Sequence, residues 1–275
     1  MQLRHLGFAL LWAMLPAVRA AIDQPIAAKH ARVEFVSEQN AIAPGSGFLL
    51  GVHFILEPGW HIYWVNPGDS GQPPVFKWQL PPGFTAGEIR WPRPERMQSS
   101  QALADYGYHD DVLLMAPVYA PATVSSASPI EFRVEAKWLI CREVCLPDHA
   151  QLSLSLPVGS VAKANPRAAT MFAGVQKLLP KPLPSGWNAT AESRKDEFVL
   201  SVFAGKALAK AEFFPLDPAQ VDNAAPQKLE SAPQGVKIVL KKSDLLVKPV
   251  AVLRGVLVVA GGDAYHVEAR VSRKD

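Results

Sequence analysis

The stretch IEFRVEAKWLICREVCLPDHAQLSLSL, residues 130–156, has the clearest strand pattern in this sequence. In its first half, apolar side chains alternate with charged ones, and the apolar set is Ile130, Phe132, Val134, Ala136, Trp138 and Ile140. Its second half repeats the alternation with Leu152, Leu154 and Leu156. Such a period of two, rich in β-branched and aromatic residues, is typical of half-buried antiparallel strands. The stretch therefore predicts two strands, with the only two cysteines of the chain between them.

The same alternation covers most of the chain from residue 30 onward. Another apolar run of single parity ends at Pro58-Gly59 and consists of Phe48, Leu50, Val52, Phe54 and Leu56. Clusters of proline and glycine, such as Pro67-Gly68, separate these runs and are typical of turns. Several short strands at this spacing predict a β-sandwich.

Residues 157–186 interrupt the alternation, because their prolines and glycines bracket a short helical candidate from Arg167 to Leu179. Strand patterns then resume in five segments, which are 197–203, 211–214, 236–240, 252–259 and 265–271. We therefore expect an all-β protein with two β-sandwich domains. The first would span residues 22–158, a Pro-rich connector with a short helix would span 159–186, and the second domain would span 187–275.

The first twenty residues predict an export signal, residues 1–20. A basic start at Arg4 precedes an apolar stretch from Leu6 to Val18, and Val18 and Ala20 are the small residues of a cleavage site. About a dozen apolar residues are too few to span the ~30 Å hydrocarbon core of a membrane. We therefore expect cleavage near Ala20 and a mature chain without a membrane span.

Charge and motif content exclude several classes of function. The formal charge of +3 falls to +1 when Arg4 and Arg19 leave with the signal, since no acidic residue leaves with them. A nearly neutral surface argues against nucleic acid as a partner. The sequence has neither the Gly-x-Ser-x-Gly pattern of hydrolases nor a phosphate-binding glycine loop. We expect no cofactor.

The pair Cys141 and Cys145 is the candidate site. In a fully extended strand their Cα atoms would lie ~13 Å apart, whereas a disulfide requires roughly 4.4–6.8 Å. The chain must therefore bend between them, and we expect Pro147 and Asp148 to supply turn residues at the end of a hairpin-like excursion. Strand parity places Cys141 with the charged residues, away from the core.

Three interpretations of this pair stay open on spacing alone. A redox pair is favoured because so short a ring stabilises a fold by only ~2 kcal/mol, and exposed disulfides are easily reduced. A structural staple is the second interpretation. The third is a soft-metal site of Cys141, Cys145 and His149, with Met97 or Met115 as a thioether ligand.

Two aromatic segments, Gly59 to Gly71 and Tyr106 to Asp111, carry further candidates. The first is interpreted as a core strand that leaves into a tight loop, with an aromatic wall near the thiols as the alternative. In the second, His109 beside two acids suggests a proton shuttle, although a solvated hairpin is the simpler interpretation.

Four motifs occur together: Gly59 to Gly71, Trp91 to Arg96, Tyr106 to Tyr108 and Trp138 to Pro147. They resemble the exported N-terminal region of DsbD-like membrane thiol reductases, and in particular the ScsB type that is linked to copper-stress suppression. Two further elements, Phe213-Phe214-Pro215 and Ala224 to Gln227, are similar to the second domain of that region. The resemblance covers about residues 30–275.

The resemblance implies periplasmic, immunoglobulin-like sandwiches. It also implies that Cys141 and Cys145 form a redox pair that receives electrons from a membrane thiol reductase and passes them to exported thiol or disulfide proteins. The sequence has no multi-helix membrane region, no thioredoxin-like region and no Cys-x-x-Cys. We therefore expect a separate protein to supply the electrons.

Overall fold

The computed structural model describes residues 25–98, 102–124 and 129–273. The predicted export signal, residues 1–20, lies outside them. The described residues form one helix, α1 (Ala169–Leu178), and twenty strands. In chain order the strands are β1 (Ile26–Ala28), β2 (Ala31–Ser37), β3 (Gln39–Ala41), β4 (Gly47–Leu56), β5 (His61–Gly68), β6 (Val75–Gln79), β7 (Thr85–Ala86), β8 (Glu95–Gln98), β9 (Ala104–His109), β10 (Asp111–Tyr119), β11 (Ile130–Cys141), β12 (Cys145–Leu156), β13 (Lys163–Ala164), β14 (Asn188–Ser193), β15 (Glu197–Phe203), β16 (Ala211–Pro215), β17 (Lys228–Ala232), β18 (Gly235–Lys241), β19 (Val252–Val259) and β20 (Ala264–Arg273).

Two sheets form the first sandwich. One has the order β1-β2-β4-β10-β7, and the other has the order β12-β11-β5-β9-β8, with β6 also paired to β11. Alternate residues of the facing strands fill the space between the sheets, among them Phe54, Ile62, Trp64, Phe132 and Trp138. The apolar parity of residues 130–140 is therefore the buried face of β11, and the prediction of an all-β sandwich is confirmed.

The C-terminal sheet has seven strands in the order β16-β19-β20-β14-β15-β18-β17. Its neighbours are antiparallel except for β14 and β20, which are parallel. The sheet curls so that β16 approaches β18, and it encloses a second apolar cluster that includes Phe198, Leu200, Phe213, Ile238 and Leu257. All five strand segments that alternation predicts in this half form, each within two residues of the observed bounds.

The helix α1 matches the helical candidate of the sequence to within two residues. Its Phe172 and Val175 pack on the outer face of the first sheet against Val36, Leu49 and Met115. The helix therefore covers the first sandwich. The domain boundaries at residues 158 and 187 stay a prediction.

The C-terminal sheet also packs against the first sandwich. Phe214 of β16 is buried in edge-to-face contacts with Trp64 and Tyr106, at ring distances of 6.4 and 5.3 Å. The Arg96 guanidinium donates hydrogen bonds of 2.7–3.2 Å to the carbonyls of Asn223 and the two residues that follow it. This contact brings the loop before β17 to the strands that carry the candidate site.

Candidate functional site

The two cysteines close a long antiparallel hairpin. Strands β11 and β12 pair over twelve positions, from Ile130 opposite Leu156 to Cys141 opposite Cys145. Cys141 and Cys145 form a disulfide with a Cα–Cα distance of 4.2 Å, and residues 142–144 make the turn. The spacing correctly predicts both the bend between the cysteines and the hairpin that contains it.

The predicted position of the turn is wrong. Pro147 and Asp148 lie within β12, opposite Leu139 and Trp138. Proline is tolerated there because β12 is the edge strand of its sheet. No further strand pairs with its outer side, so none loses a hydrogen bond to the missing N–H. The Asp148 carboxylate accepts a hydrogen bond of 2.8 Å from the backbone N–H of Lys29, which ties the hairpin to the turn before β2.

The two sulfur-bearing residues differ in their access to solvent. Cys145 is exposed, whereas Cys141 is only 2% exposed. Parity correctly predicts the sheet face of Cys141, since β11 continues to that residue. The expectation that this face leaves the thiol in solvent is wrong, because another segment covers this end of the sheet.

That cover consists of Tyr63 and the loop that follows β5. Tyr63 is 1% exposed, and its hydroxyl lies 3.3 Å from the Cys145 sulfur. Burial raises the pKa of Tyr63, so the hydroxyl stays protonated and can donate to the sulfur. Gly71, at φ +74°, approaches so closely that a Cβ there would lie 2.1 Å from the Tyr63 ring. Only glycine fits at that position.

Hydrogen bonds hold this loop on both sides. The Asp105 carboxylate accepts two bonds of 2.9 Å from the backbone N–H and hydroxyl of Ser70. The Asp69 carboxylate accepts a bond of 2.7 Å from the side-chain amide of Asn223, whose carbonyl accepts one of 3.0 Å from the Tyr106 hydroxyl. The C-terminal region therefore helps to position the loop that packs on Tyr63.

One row of four residues crosses the sheet at the disulfide. Cys145 lies opposite Cys141, Cys141 opposite His61, and His61 opposite His109. The His61 ring is 5.2 Å from the ring of Tyr63 and 5.7 Å from that of His109, both edge to face. His61 is 8% exposed, and its Nε2 has no hydrogen-bond partner among the described residues. Burial, with His109 as a second cause, lowers the pKa of His61.

The turn itself carries a cation beside an aromatic ring. The Arg142 guanidinium lies 5.2 Å from the ring of Trp60, and His30 stacks on Trp60 at 3.8 Å. Cation–π contacts of this kind restrain an arginine side chain at a partly exposed surface. The disulfide is thus bordered by a fixed positive charge.

The first aromatic segment forms both a core strand and an aromatic wall near the cysteines, with alternate residues of β5 in the two roles. Ile62 and Trp64 point into the sandwich core. His61 and Tyr63 lie on the opposite face and border the disulfide. The sequence motif alone does not identify His61, and the signal that could have found it is its parity with Tyr63 in an alternating strand.

The proposed metal ligands are not brought together. His149 lies opposite Lys137, four positions along the hairpin from the cysteines, which is about 13 Å in a strand. Met115 is buried beneath α1, and Met97 lies over Gly107 of β9. Within residues 25–98, 102–124 and 129–273, no group of three or more His, Cys, Asp or Glu side chains could hold a metal ion.

The first sandwich thus has an edge hairpin that one partly exposed disulfide closes. Residues 32–157 match the family described as the N-terminal domain of the thiol:disulfide interchange protein DsbD. This match confirms, over that part of the chain, the family resemblance stated from the motifs.

The whole fold is similar to that of a solved structure, the N-terminal periplasmic domain of ScsB from Proteus mirabilis. The match has a TM-score of 0.68 and 16% identity, and it covers 93% of this chain and 100% of that one. The expected immunoglobulin-like, all-β fold is thereby confirmed. No curated protein sequence matches the chain. In the part of the chain that the structure describes, no helix is long and apolar enough to cross a membrane.

Proposed function

We propose that this protein is a periplasmic thiol–disulfide interchange protein that relays electrons through Cys141 and Cys145. Its electrons would come from a membrane thiol reductase and pass to exported thiol or disulfide proteins. The proposal includes removal of residues 1–20 near Ala20. The observation that carries it is the asymmetry of the disulfide, whose exposed member is Cys145 and whose buried member is Cys141.

This asymmetry supports one order of events. A donor thiolate attacks the exposed Cys145 sulfur, the S–S bond breaks, and Cys141 leaves as a thiolate with the electron pair. The second thiol of the donor then attacks the donor sulfur of this mixed disulfide. The donor becomes a disulfide, and Cys145 leaves as a thiolate. In the next transfer, the Cys145 thiolate attacks the disulfide of an acceptor, and Cys141 resolves the mixed disulfide. Two electrons pass to the acceptor and the Cys141–Cys145 disulfide forms again.

Tyr63 and Arg142 favour Cys145 as the attacking group. A hydroxyl that donates to a sulfur stabilises its thiolate, and so does a nearby guanidinium. The Tyr63 hydroxyl contacts the Cys145 sulfur, and Arg142 lies in the turn between the cysteines. Glu143 in the same turn opposes this effect.

Single-cysteine variants test the proposal. With excess oxidised glutathione, Cys141→Ser, which keeps Cys145, should form a mixed disulfide at least about tenfold faster than Cys145→Ser, because access limits attack. In cells, Cys141→Ser should accumulate mixed disulfides with exported proteins. Equal and slow reaction of both variants, together with a reduction potential well below about −300 mV, would instead indicate a structural bridge.

A further inference from the structure

The proposed relay leaves one chemical requirement at Cys141. To resolve a mixed disulfide, Cys141 must attack as a thiolate, yet its residue is only 2% exposed. A thiol in buried surroundings gives up its proton reluctantly, and bulk water has little access to accept it. The exposed Cys145 has no such difficulty. A proton acceptor beside Cys141 is therefore needed.

His61 is the titratable residue that the fold places there. It lies directly opposite Cys141 in neighbouring antiparallel strands, so both side chains are on the same sheet face. The Cβ atoms of such pairs are ~4.5–5.5 Å apart. No charged residue lies between them in the row, whose next member is His109.

The unpartnered Nε2 of His61 supports this role. Buried polar atoms nearly always have a hydrogen-bond partner, but this nitrogen has none among the described residues while Cys141 is in the disulfide. Reduction creates a new donor, the Cys141 S–H, on the same face. We expect the Cys141 thiol of the dithiol form to donate to this nitrogen.

The surroundings of His61 keep its ring able to accept a proton. Burial and the neighbouring His109 lower the pKa of His61, while the Asp105 carboxylate opposes them. The Tyr63 ring packs edge to face against it and carries no charge at neutral pH. The imidazole is therefore neutral at pH 7. His109 is partly exposed, so the row ends at the protein surface.

We propose that His61 is the proton acceptor and donor for Cys141. When Cys145 is bound to an acceptor, His61 takes the proton of the Cys141 thiol. The Cys141 thiolate then attacks the Cys145 sulfur, and the acceptor leaves as a thiolate with the electron pair. His61 passes its proton to solvent. In the reverse direction, protonated His61 returns a proton to the departing Cys141 thiolate. This inference rests on the proposed function of the cysteine pair.

The test separates the two chemical steps. Reduced protein is mixed with excess Ellman's reagent in a stopped-flow instrument, and released thionitrobenzoate is followed by absorbance. The first equivalent reports the attack by Cys145, and the second reports resolution by Cys141. His61→Gln should leave the first phase unchanged and slow the second on the order of 100-fold, the usual scale of acid–base assistance. His149→Gln, on the same hairpin but four positions away, is the matched control and should change neither phase.

The pH profile gives an independent readout in the unaltered protein. The second-phase rate should rise with pH through an inflection below 6.5, the ordinary pKa of histidine, because the neutral ring is the acceptor. His61→Gln should lose that inflection. An unchanged second phase in folded His61→Gln, or a wild-type profile without the inflection, would overturn the role of His61 and leave the relay intact. Absence of the first phase in the wild type would instead overturn the relay itself.

Discussion

Two hairpins of this protein differ in how they turn and in whether they are crosslinked. The hairpin β11–β12 turns through Arg142, Glu143 and Val144 and is closed by a disulfide. The hairpin β19–β20 turns through Gly261 and Gly262, which have φ values of +88° and +85°, and it has no crosslink. Both have a buried face that contributes to an apolar core.

This difference indicates what the disulfide is for. The hairpin β19–β20 forms without a crosslink, on its own strand pairs, its pairing with β16 and β14, and its buried face. The disulfide adds ~2 kcal/mol at most for so short a ring. Eleven of the twelve paired positions in β11–β12 involve no cysteine. We therefore expect the fold around the bond to be kept when the bond is reduced.

The largest expected effect comes from the core beneath the first hairpin. Phe132→Ala removes a fully buried ring that packs edge to face on Phe48 and Phe84, at 5.8 and 5.2 Å. We expect a loss of about 3–5 kcal/mol in the free energy of unfolding, measured by urea denaturation. Phe213→Ala, under the second hairpin, should cost a similar amount. Phe203→Ala is the control with a 40% exposed residue and should change stability little.

Removal of the disulfide should have a smaller effect. We expect the double variant Cys141→Ala, Cys145→Ala to lose about 2 kcal/mol and to keep its far-ultraviolet circular dichroism. Reduced wild-type protein should show the same loss in the same titration. If the double variant were less stable than Phe132→Ala, the disulfide would be the main support of its hairpin and the comparison with β19–β20 would fail.

The two halves also differ in buried charge. On the outer face of the first sheet, His53 is 4% exposed and lies 2.6 Å from a Glu34 oxygen and 2.7 Å from an Asp111 oxygen. Burial lowers the pKa of His53, but the hydrogen bonds to Asp111 and Glu34 and their charges outweigh it, so the pKa is raised. Among the described residues from 187 to 273, no charged side chain is buried.

A third prediction follows from this raised pKa. The protonated ring binds its proton more tightly in the folded state, so its contribution is fully present below the ordinary pKa of 6.5 and is lost as pH rises through the higher folded pKa. His53→Gln should cost about 1.5 kcal/mol at pH 6 and much less at pH 9, by urea denaturation at each pH. The exposed His149→Gln is the control. A cost that is the same at both pH values would show that the charge of His53 does not contribute.

Alternation along the chain predicts most of the fold because it depends only on which side of a strand is buried. It gives the strands around the cysteines and five of the seven strands of the C-terminal sheet, but not β14 or β17. It fails at Pro147, because only the order of strands in the sheet decides which strand is at an edge. A segment with proline can have the same local sequence whether it lies in an edge strand or in a turn.

Only part of the candidate site can be predicted from the sequence near the cysteines. The spacing of Cys141 and Cys145 predicts their bend, and parity predicts the face of Cys141. The cover over Cys141 comes from residues about 70 to 80 positions earlier, through the close approach of Gly71 to Tyr63. The row that joins Cys141 to His61 and His109 depends on the register of three strands. Neither can be deduced from periodicity within one segment.

The smallest expected effect concerns the glycine turn that replaces a crosslink in β19–β20. Gly261 has no atom within 4 Å of a built Cβ, so Gly261→Ala introduces no clash and tests only its φ of +88°. An L-residue in this region costs about 1 kcal/mol. Gly174→Ala is the matched control, since this glycine is also free of neighbours but lies in α1. There the same substitution should stabilise the protein by roughly 0.5–1 kcal/mol. Opposite signs for the two variants in thermal or urea unfolding would show that backbone conformation at the turn supports the second hairpin. Equal signs would leave that hairpin, like the first, dependent on its paired strands and core alone.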